Sequence, residues 1–203
     1  MPKLDLYKEN AGEYKACKKP EFVKVKAAHY LAAPGQGLPS APLFQERIAA
    51  LFTMAYTIKM ARKAEGNDYA VCKLEALWWA EGGGCMKDIP LAECNWKLLI
   101  RVPDFIRKDD LKKAAQAVAA KGKKVDVSPV VLEGIKEGTC VQMLHVGPYD
   151  REAETVAVMN EFAHAAGQEF HGTHHEIYLS DPGRTAPERL RTLLRLPVRH
   201  MEK

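Results

Sequence analysis

Within 203 residues the chain spells one strand–helix–strand–strand unit twice, and each copy sets a single glutamate into an otherwise apolar strand. Leu74-Glu75-Ala76-Leu77-Trp78-Trp79 is answered by His175-Glu176-Ile177-Tyr178-Leu179-Ser180. Downstream of each comes a second short apolar run with the same punctuation, Ile100-Arg101-Val102-Pro103 and Leu194-Arg195-Leu196-Pro197. Glu75 and Arg101 are 26 residues apart, Glu176 and Arg195 only 19. The longer spacing falls in the loop from Glu81-Gly82-Gly83-Gly84 to Glu93, against the Asp181-Pro182-Gly183 turn. A duplicated unit that sets an acid on a sheet face twice predicts a two-fold cleft with carboxylates at its centre.

The elements follow from periodicity. Residues 1–20 are charged and patternless and are expected to form a mobile arm or an edge addition. Phe22 to Tyr30 alternates like a strand, and Pro34 to Pro42 is rich in turn residues. Phe44, Ile48, Leu51, Phe52, Ala55 and Ile58 recur at three- and four-residue intervals and mark the core face of a helix, with Tyr56 and Met60 on a neighbouring stripe. A separate helix is predicted from a cap at Asp109 or Asp110 to Gly122. In the second copy, the Cys140–His145 strand leads through Gly147-Pro148-Tyr149 to a helix capped by Asp150, with Glu152 and Glu154 complementing its dipole. The predicted fold is α+β. Tandem βαββ repeats, about 21–105 and about 137–200, are joined by a connecting helix over about 108–122. They form one curved antiparallel sheet with helices on one face and a central ligand cleft on the other. Residues 21–203 then make one domain behind the arm.

Side-chain alternation along a strand puts Glu176, Tyr178 and Ser180 on one face and Ile177 and Leu179 on the other. Likewise Glu75, Leu77 and Trp79 oppose Leu74, Ala76 and Trp78. Assigning the apolar Ile177/Leu179 set to the helices turns both glutamates into the cleft, among aromatic rings. A carboxylate so placed can attract a cationic or electron-poor ligand, with ring contacts of ~1–2 kcal/mol each. Alternatively it can serve as a general base on water. The residues alone leave both uses open.

Several motifs taken together resemble the GyrI-like small-molecule-binding family: Gly147-Pro148-Tyr149-Asp150, His174-His175-Glu176-Ile177-Tyr178-Leu179-Ser180-Asp181-Pro182 and Leu194-Arg195-Leu196-Pro197-Val198. The first half agrees through Leu74 to Trp79 and Arg101-Val102-Pro103-Asp104-Phe105-Ile106, so the resemblance spans about residues 20 to 200. One departure is Gly183, where the family pattern leads one to expect a basic residue. The resemblance implies a glutamate-centred cleft for bulky planar, lipophilic or cationic compounds. Stand-alone members of this length include cyclopropanoid cyclohydrolases, which hydrate strained cyclopropanes of DNA-alkylating natural products and so detoxify them. By that analogy Glu176 activates water with Tyr178 beside it. Tyr149, Tyr56, Trp78 and Trp79 hold the substrate, and Glu75 and Met60 complete the cleft. Other members are multidrug-sensing ligand domains and inhibitors of DNA gyrase. A non-catalytic sequestering protein and a gyrase inhibitor are therefore the alternatives, while the lack of a recognisable helix-turn-helix extension counts against a regulator.

Composition excludes other classes. Thirty basic against 26 acidic residues give a net charge of +4, and the lysines are scattered, which argues against nucleic acid as a partner. No apolar run approaches the ~20 residues of a membrane span, and Met1 to Leu6 has no signal-peptide core, so a cytoplasmic protein without membrane contact is expected. Five cysteines, odd in number and widely spaced, fit free thiols. Cys85 and Cys94 are not spaced like a zinc knuckle. His171-Gly172-Thr173-His174-His175 sends its last two histidines to opposite faces, and no carboxylate cluster is seen to complete a triad, so neither metal nor cofactor is expected. Gly82-Gly83-Gly84 lacks the lysine of a phosphate loop and reads as a flexible hairpin. Hydrophobic or cationic small molecules are the expected partners, and a homodimer is compatible with the sequence.

Overall fold

A computed structural model of the chain describes residues 3–80 and 91–201. The Gly82-Gly83-Gly84 hairpin and Cys85 lie outside the described residues. In chain order the elements are α1 (Leu6–Glu9), β1 (Glu21–Val25), β2 (Ala28–Gln36), α2 (Pro42–Ala64), β3 (Glu75–Trp79), β4 (Asn95–Val102), α3 (Lys108–Ala120), β5 (Val131–Ile135), β6 (Gly138–Val146), α4 (Glu152–Ala165), β7 (Gln168–Phe170), β8 (His174–Tyr178) and β9 (Arg191–His200). Both predicted repeats are present, as β2-α2-β3-β4 and β6-α4-β8-β9, and their strands form one antiparallel sheet that does not close.

The order across the sheet is β1-β6-β9-β8-β3-β4-β2-β5, with β7 paired to β9. The two repeats meet at the β3–β8 ladder, and each hands its opening strand to the other. Thus β1 pairs with β6, and β5 pairs with β2. This exchange is why the single strand expected from Phe22 to Tyr30 divides in two, since β1 and β2 serve opposite edges of the sheet.

α2 packs over β2 and β4, α3 packs on α2 and β5, and α4 packs over β6 and β7. The main core lies under α2, where Leu51, Met54 and Ile58 meet Leu31, Leu98, Ile100 and Trp78. A smaller core under α4 joins Val156 and Met159 to Val141, Leu194 and Leu196. Between α2 and α4 the helix side of β3 and β8 forms a central strip. Two caps differ from expectation. In α3 the Arg107 backbone N–H donates to Asp110 Oδ2 at 2.8 Å, so Asp110 reaches back from the third helical position. Asp150 lies in a 3₁₀ turn over Tyr149–Arg151, ahead of α4, and does not cap it.

The arm departs most from expectation. Leu4 bridges Tyr69, Leu6 is anchored in the main core, and Cys17 O accepts from Leu144 N. Tyr14 packs on Ile177 and Leu193, with Tyr7 stacked on it at a centroid distance of 4.0 Å. The arm therefore starts against the main core through Leu4 and Leu6, lays Tyr14 on the face opposite α2 and α4, and continues the β1–β6 edge through Cys17.

Candidate functional site

The central ladder decides which residues can work together. Its register pairs Ala76 with Glu176 and Glu75 with Ile177. Directly opposed residues in an antiparallel pair point to the same face. Ala76, Trp78, His174, Glu176 and Tyr178 thus face the helices, whereas Glu75, Leu77, Trp79, His175 and Ile177 face the arm. The expected meeting of Glu75 and Glu176 in one cleft does not occur. The two motifs look alike but are one residue out of step, and a shift of one residue along a strand reverses every side chain. The assignment of Ile177 to the helix side reverses with it, because the ring of Tyr14 supplies its apolar cover.

On the helix face, Glu176 is buried beside the strip between α2 and α4. Tyr178 Oη donates to Glu176 Oε2 at 2.7 Å, and His174 Nε2 stands 3.3 Å from Oε1. Glu152, the first residue of α4, joins them. Its carboxyl and the donor atoms of His174 and Glu176 all lie within 4.8 Å of one another. Burial first, and then the negative charge of Glu176, push the Glu152 carboxyl up to about 10. Burial opposes ionisation of Glu176 as well, but the His174 and Tyr178 contacts hold it below the ordinary carboxylate range. The two carboxyls titrate as a coupled pair, with Glu152 pushed towards its neutral form and Glu176 towards its charged form. Burial, then the neighbouring Glu176 charge, raises the Tyr178 phenol well above its usual value and makes it a persistent donor.

The rings nearby are Tyr149, edge-on to Tyr178 at 5.9 Å, and Trp78, stacked on Phe44 at 5.9 Å. Tyr149 is exposed and Tyr178 half-buried. Tyr56 and Met60 are not part of this group. They line a shallow depression between α2 and α3 together with Phe52, Ala117, Lys121 and Lys123. Trp79 belongs to the arm face, in a cluster with Tyr30, Leu77 and Leu99. His174, Glu152 and Glu176 are a carboxylate–histidine cluster that the sequence did not disclose, because Glu152 comes from a helix. They offer donor atoms of metal-binding type. Glu176, however, already has a donor on each oxygen, which fits a hydrogen-bonded acid pair better than an open coordination site.

On the arm face, Glu75 sits in a buried ionic chain. His175 lies between two carboxylates, its Nε2 at 3.0 Å from Glu75 Oε2 and its Nδ1 at 3.0 Å from Glu137 Oε1. Arg195 Nη1 donates to Glu137 Oε2 at 2.9 Å. Burial works against the imidazolium, but Glu137 and Glu75 outweigh it and lift His175 to about 9. Burial likewise opposes a charged Glu137, but His175 and Arg195 bring it down to about 2. The Tyr14 hydroxyl donates to Glu75 Oε1 at 3.3 Å and accepts from Arg101 Nη1 at 3.0 Å. Its ring lies 5.6 Å from the Arg101 guanidinium and 5.8 Å from that of Arg195. The two arginines of the repeated Arg-x-Pro motifs thus clamp one arm tyrosine. Arg101, Arg195, Glu75 and His175 on this face are each engaged by the arm or by one another, which holds Tyr14 down.

The comparisons with known proteins agree with this architecture. The sequence pattern of the GyrI-like small molecule binding domain matches residues 104–199. A Listeria innocua protein described as an uncharacterized conserved protein is 38% identical, with a TM-score of 0.90 over 97% of this chain and all of its own. The chain belongs to the GyrI-like small-molecule-binding family. Two further Listeria innocua proteins similar to this GyrI-like chain are described as hydrolases. They are 35% and 37% identical, with TM-scores of 0.88 and 0.89 over 97% and 98% of this chain and the whole of theirs. No protein with a curated description matches. Among the described residues, no helix is long and apolar enough to cross a membrane.

Proposed function

We propose that this GyrI-like protein binds bulky, planar, lipophilic or cationic small molecules over the strip between α2 and α4 and hydrolyses strained cyclopropane electrophiles there, a detoxifying reaction. The observation that carries this reading is the Tyr178–Glu176 pair, a 2.7 Å hydrogen bond to a buried carboxylate whose donor atoms lie within 4.8 Å of a second buried carboxyl, Glu152. A carboxylate held ionised in apolar surroundings attracts cationic or electron-poor ligands, and the rings of Trp78, Tyr149 and Tyr178 supply stacking surface. The same carboxylate is the base that would take a proton from water as its oxygen attacks the ring carbon. The hydrolase descriptions of the two Listeria innocua relatives support an enzyme.

The non-catalytic alternative, capture and sequestration, is favoured by one observation. Both Glu176 oxygens already have donors, which suits a fixed charge as well as a base. Incubation with a cyclopropane-bearing alkylator, followed by mass spectrometry, separates the two. The hydrolytic reading expects a product heavier by one water, lost in Glu176→Gln while ligand binding persists. Binding without any hydrate in the wild type establishes sequestration instead.

A further inference from the structure

Arg101 is only 6% exposed, yet part of its guanidinium is unused. Nη1 donates to Glu13 Oε2 at 2.7 Å and to the Tyr14 hydroxyl at 3.0 Å. Nε and Nη2 have no hydrogen-bond partner among the described residues, and neither is sealed from solvent. These two N–H groups form the side-on edge of the guanidinium, the edge with which Arg151 grips both oxygens of Glu154 at 3.0 and 2.9 Å. Arg101 lines a cavity of about 590 Å³ at the seam between the arm and the first repeat. That volume falls within the range of small-molecule sites, roughly 300–1,000 Å³. Two more cations face the same space. Lys26 comes from the β1–β2 turn, and its ammonium has no partner among the described residues; Arg107 stands just before α3. The acids on the wall are Glu9, exposed on the arm, and Asp104, whose Oδ1 lies 3.3 Å from His29 Nδ1. Leu4, Leu6 and Phe105 supply apolar wall.

We propose that this seam is a ligand site separate from the Glu176 strip, and that it takes a small amphipathic carboxylate. The carboxylate lies in the plane of the Arg101 guanidinium, its two oxygens accepting from Nε and Nη2, with the Lys26 ammonium beside them. The apolar part of the ligand covers Leu4, Leu6 and Phe105. A planar guanidinium edge matches a carboxylate in two parallel hydrogen bonds, which a point charge such as an ammonium does not reproduce. A neutral or cationic ligand would leave that edge of a buried guanidinium without an acceptor, whereas an anion satisfies it. The site therefore selects the opposite charge from the carboxylate strip on the helix face. Its walls come from the arm and from β4 together, so an occupied site ties the start of the arm to the sheet.

Isothermal titration calorimetry of the full chain with octanoate tests it, with acetate, octylamine and inorganic phosphate as comparison probes. Octanoate should bind saturably at one site and raise the melting temperature, and each of the other three should bind at least about tenfold more weakly. Arg101→Lys keeps the charge but loses the planar edge, so it should weaken octanoate about 10- to 100-fold, the equivalent of one charge-assisted hydrogen bond. Because Arg101 also holds Tyr14, a second variant reads the site without disturbing that clamp. Lys26→Glu lies on an exposed turn, leaves the backbone N–H that donates to Glu13 in place, and should abolish octanoate binding with the melting temperature of the free protein kept. Octylamine binding as tightly as octanoate would reduce the cavity to an apolar surface, and phosphate binding as tightly would make it a bare anion patch; either result overturns the proposal. It is equally overturned if the wild type shows no saturable octanoate binding, or if affinity is the same in wild type, Arg101→Lys and Lys26→Glu.

Discussion

Glu176 lies directly opposite Ala76 across the central ladder, so Glu75, one residue earlier in its own strand, faces the other side of the sheet. The two glutamates at the heart of the repeated motifs therefore lie on opposite faces of the sheet. Glu75→Gln should leave ligand binding and turnover unchanged but lower stability by about 1–3 kcal/mol, because it removes a buried charge that faces His175 and accepts from Tyr14. Glu176→Gln should abolish turnover while ligand binding persists. Chemical denaturation together with a ligand-binding titration of both variants checks the separation, and a large activity loss in Glu75→Gln would contradict it.

His175 gives the fold a stability that depends on alkaline pH. Its folded value, about 9, exceeds the ordinary 6.5, so the stabilisation is complete below about 6.5 and is lost as pH rises through about 9. The loss should be on the order of 3 kcal/mol. Glu137 acts at the other end: held at about 2 against an ordinary 4.5, it stabilises fully above 4.5 and ceases to do so as pH falls through about 2. Melting temperature measured from pH 6 to pH 10 should fall on the alkaline side. His175→Gln should start lower, because it leaves Glu75 and Glu137 buried with one counter-charge fewer, and should lose most of the alkaline slope.

Tyr178→Phe removes the phenol that donates to Glu176. A hydrogen bond to a charged group contributes about 1.5–3 kcal/mol, so hydrolysis should slow by roughly 10- to 100-fold. The Glu176 carboxyl, held low partly by this donor, should move upward, carrying the acidic limb of the pH–rate profile to higher pH. A profile whose acidic limb stays in place would separate Tyr178 from the base.

Gly35 tests the packing of the first repeat. It lies against the fully buried Trp96, and a Cβ at position 35 would overlap the indole ring. The ring cannot retreat easily, because Nε1 donates to Gly37 O at 3.0 Å and Phe44 packs edge-on at 4.9 Å. Gly35→Ala should therefore cost about 1–3 kcal/mol. Tryptophan fluorescence during denaturation reports it.

Much of the fold was legible because its signals are local. The helical spacing of Phe44 to Ile58 found its element, and the paired Arg-x-Pro motifs marked β4 and β9, although Pro103 follows the end of β4 while β9 runs through Pro197 to His200. Alternation also sent His174 and His175 to opposite faces, as the structure has them. What failed was the comparison between strands. Periodicity defines the two faces of a strand but does not say which one meets the helices, and aligning Glu75 with Glu176 carried a one-residue slip from one repeat into the other. Glu152 looked like an ordinary dipole-complementing acid at a helix start, because nothing in its neighbours along the chain shows that the start of α4 is buried against β8. The arm was misjudged for a related reason. Its anchors, Leu6 and Tyr14, are isolated among charges and have no period. Tyr14 is held by Arg101 and Glu75, which are far away in sequence.

The exchange of opening strands has a consequence for how such a molecule can be divided. Severed between α3 and β5, the first half would keep β1 without β6 to receive it and β2 without the ribbon that seals its rim, and the second half would be left in the mirror-image predicament. Each piece would present raw hydrogen-bonding borders that only the other piece matches. Tethering both in one polypeptide keeps that mutual repair at every copy's side, and spares the cell a pair of fragments inclined to polymerise.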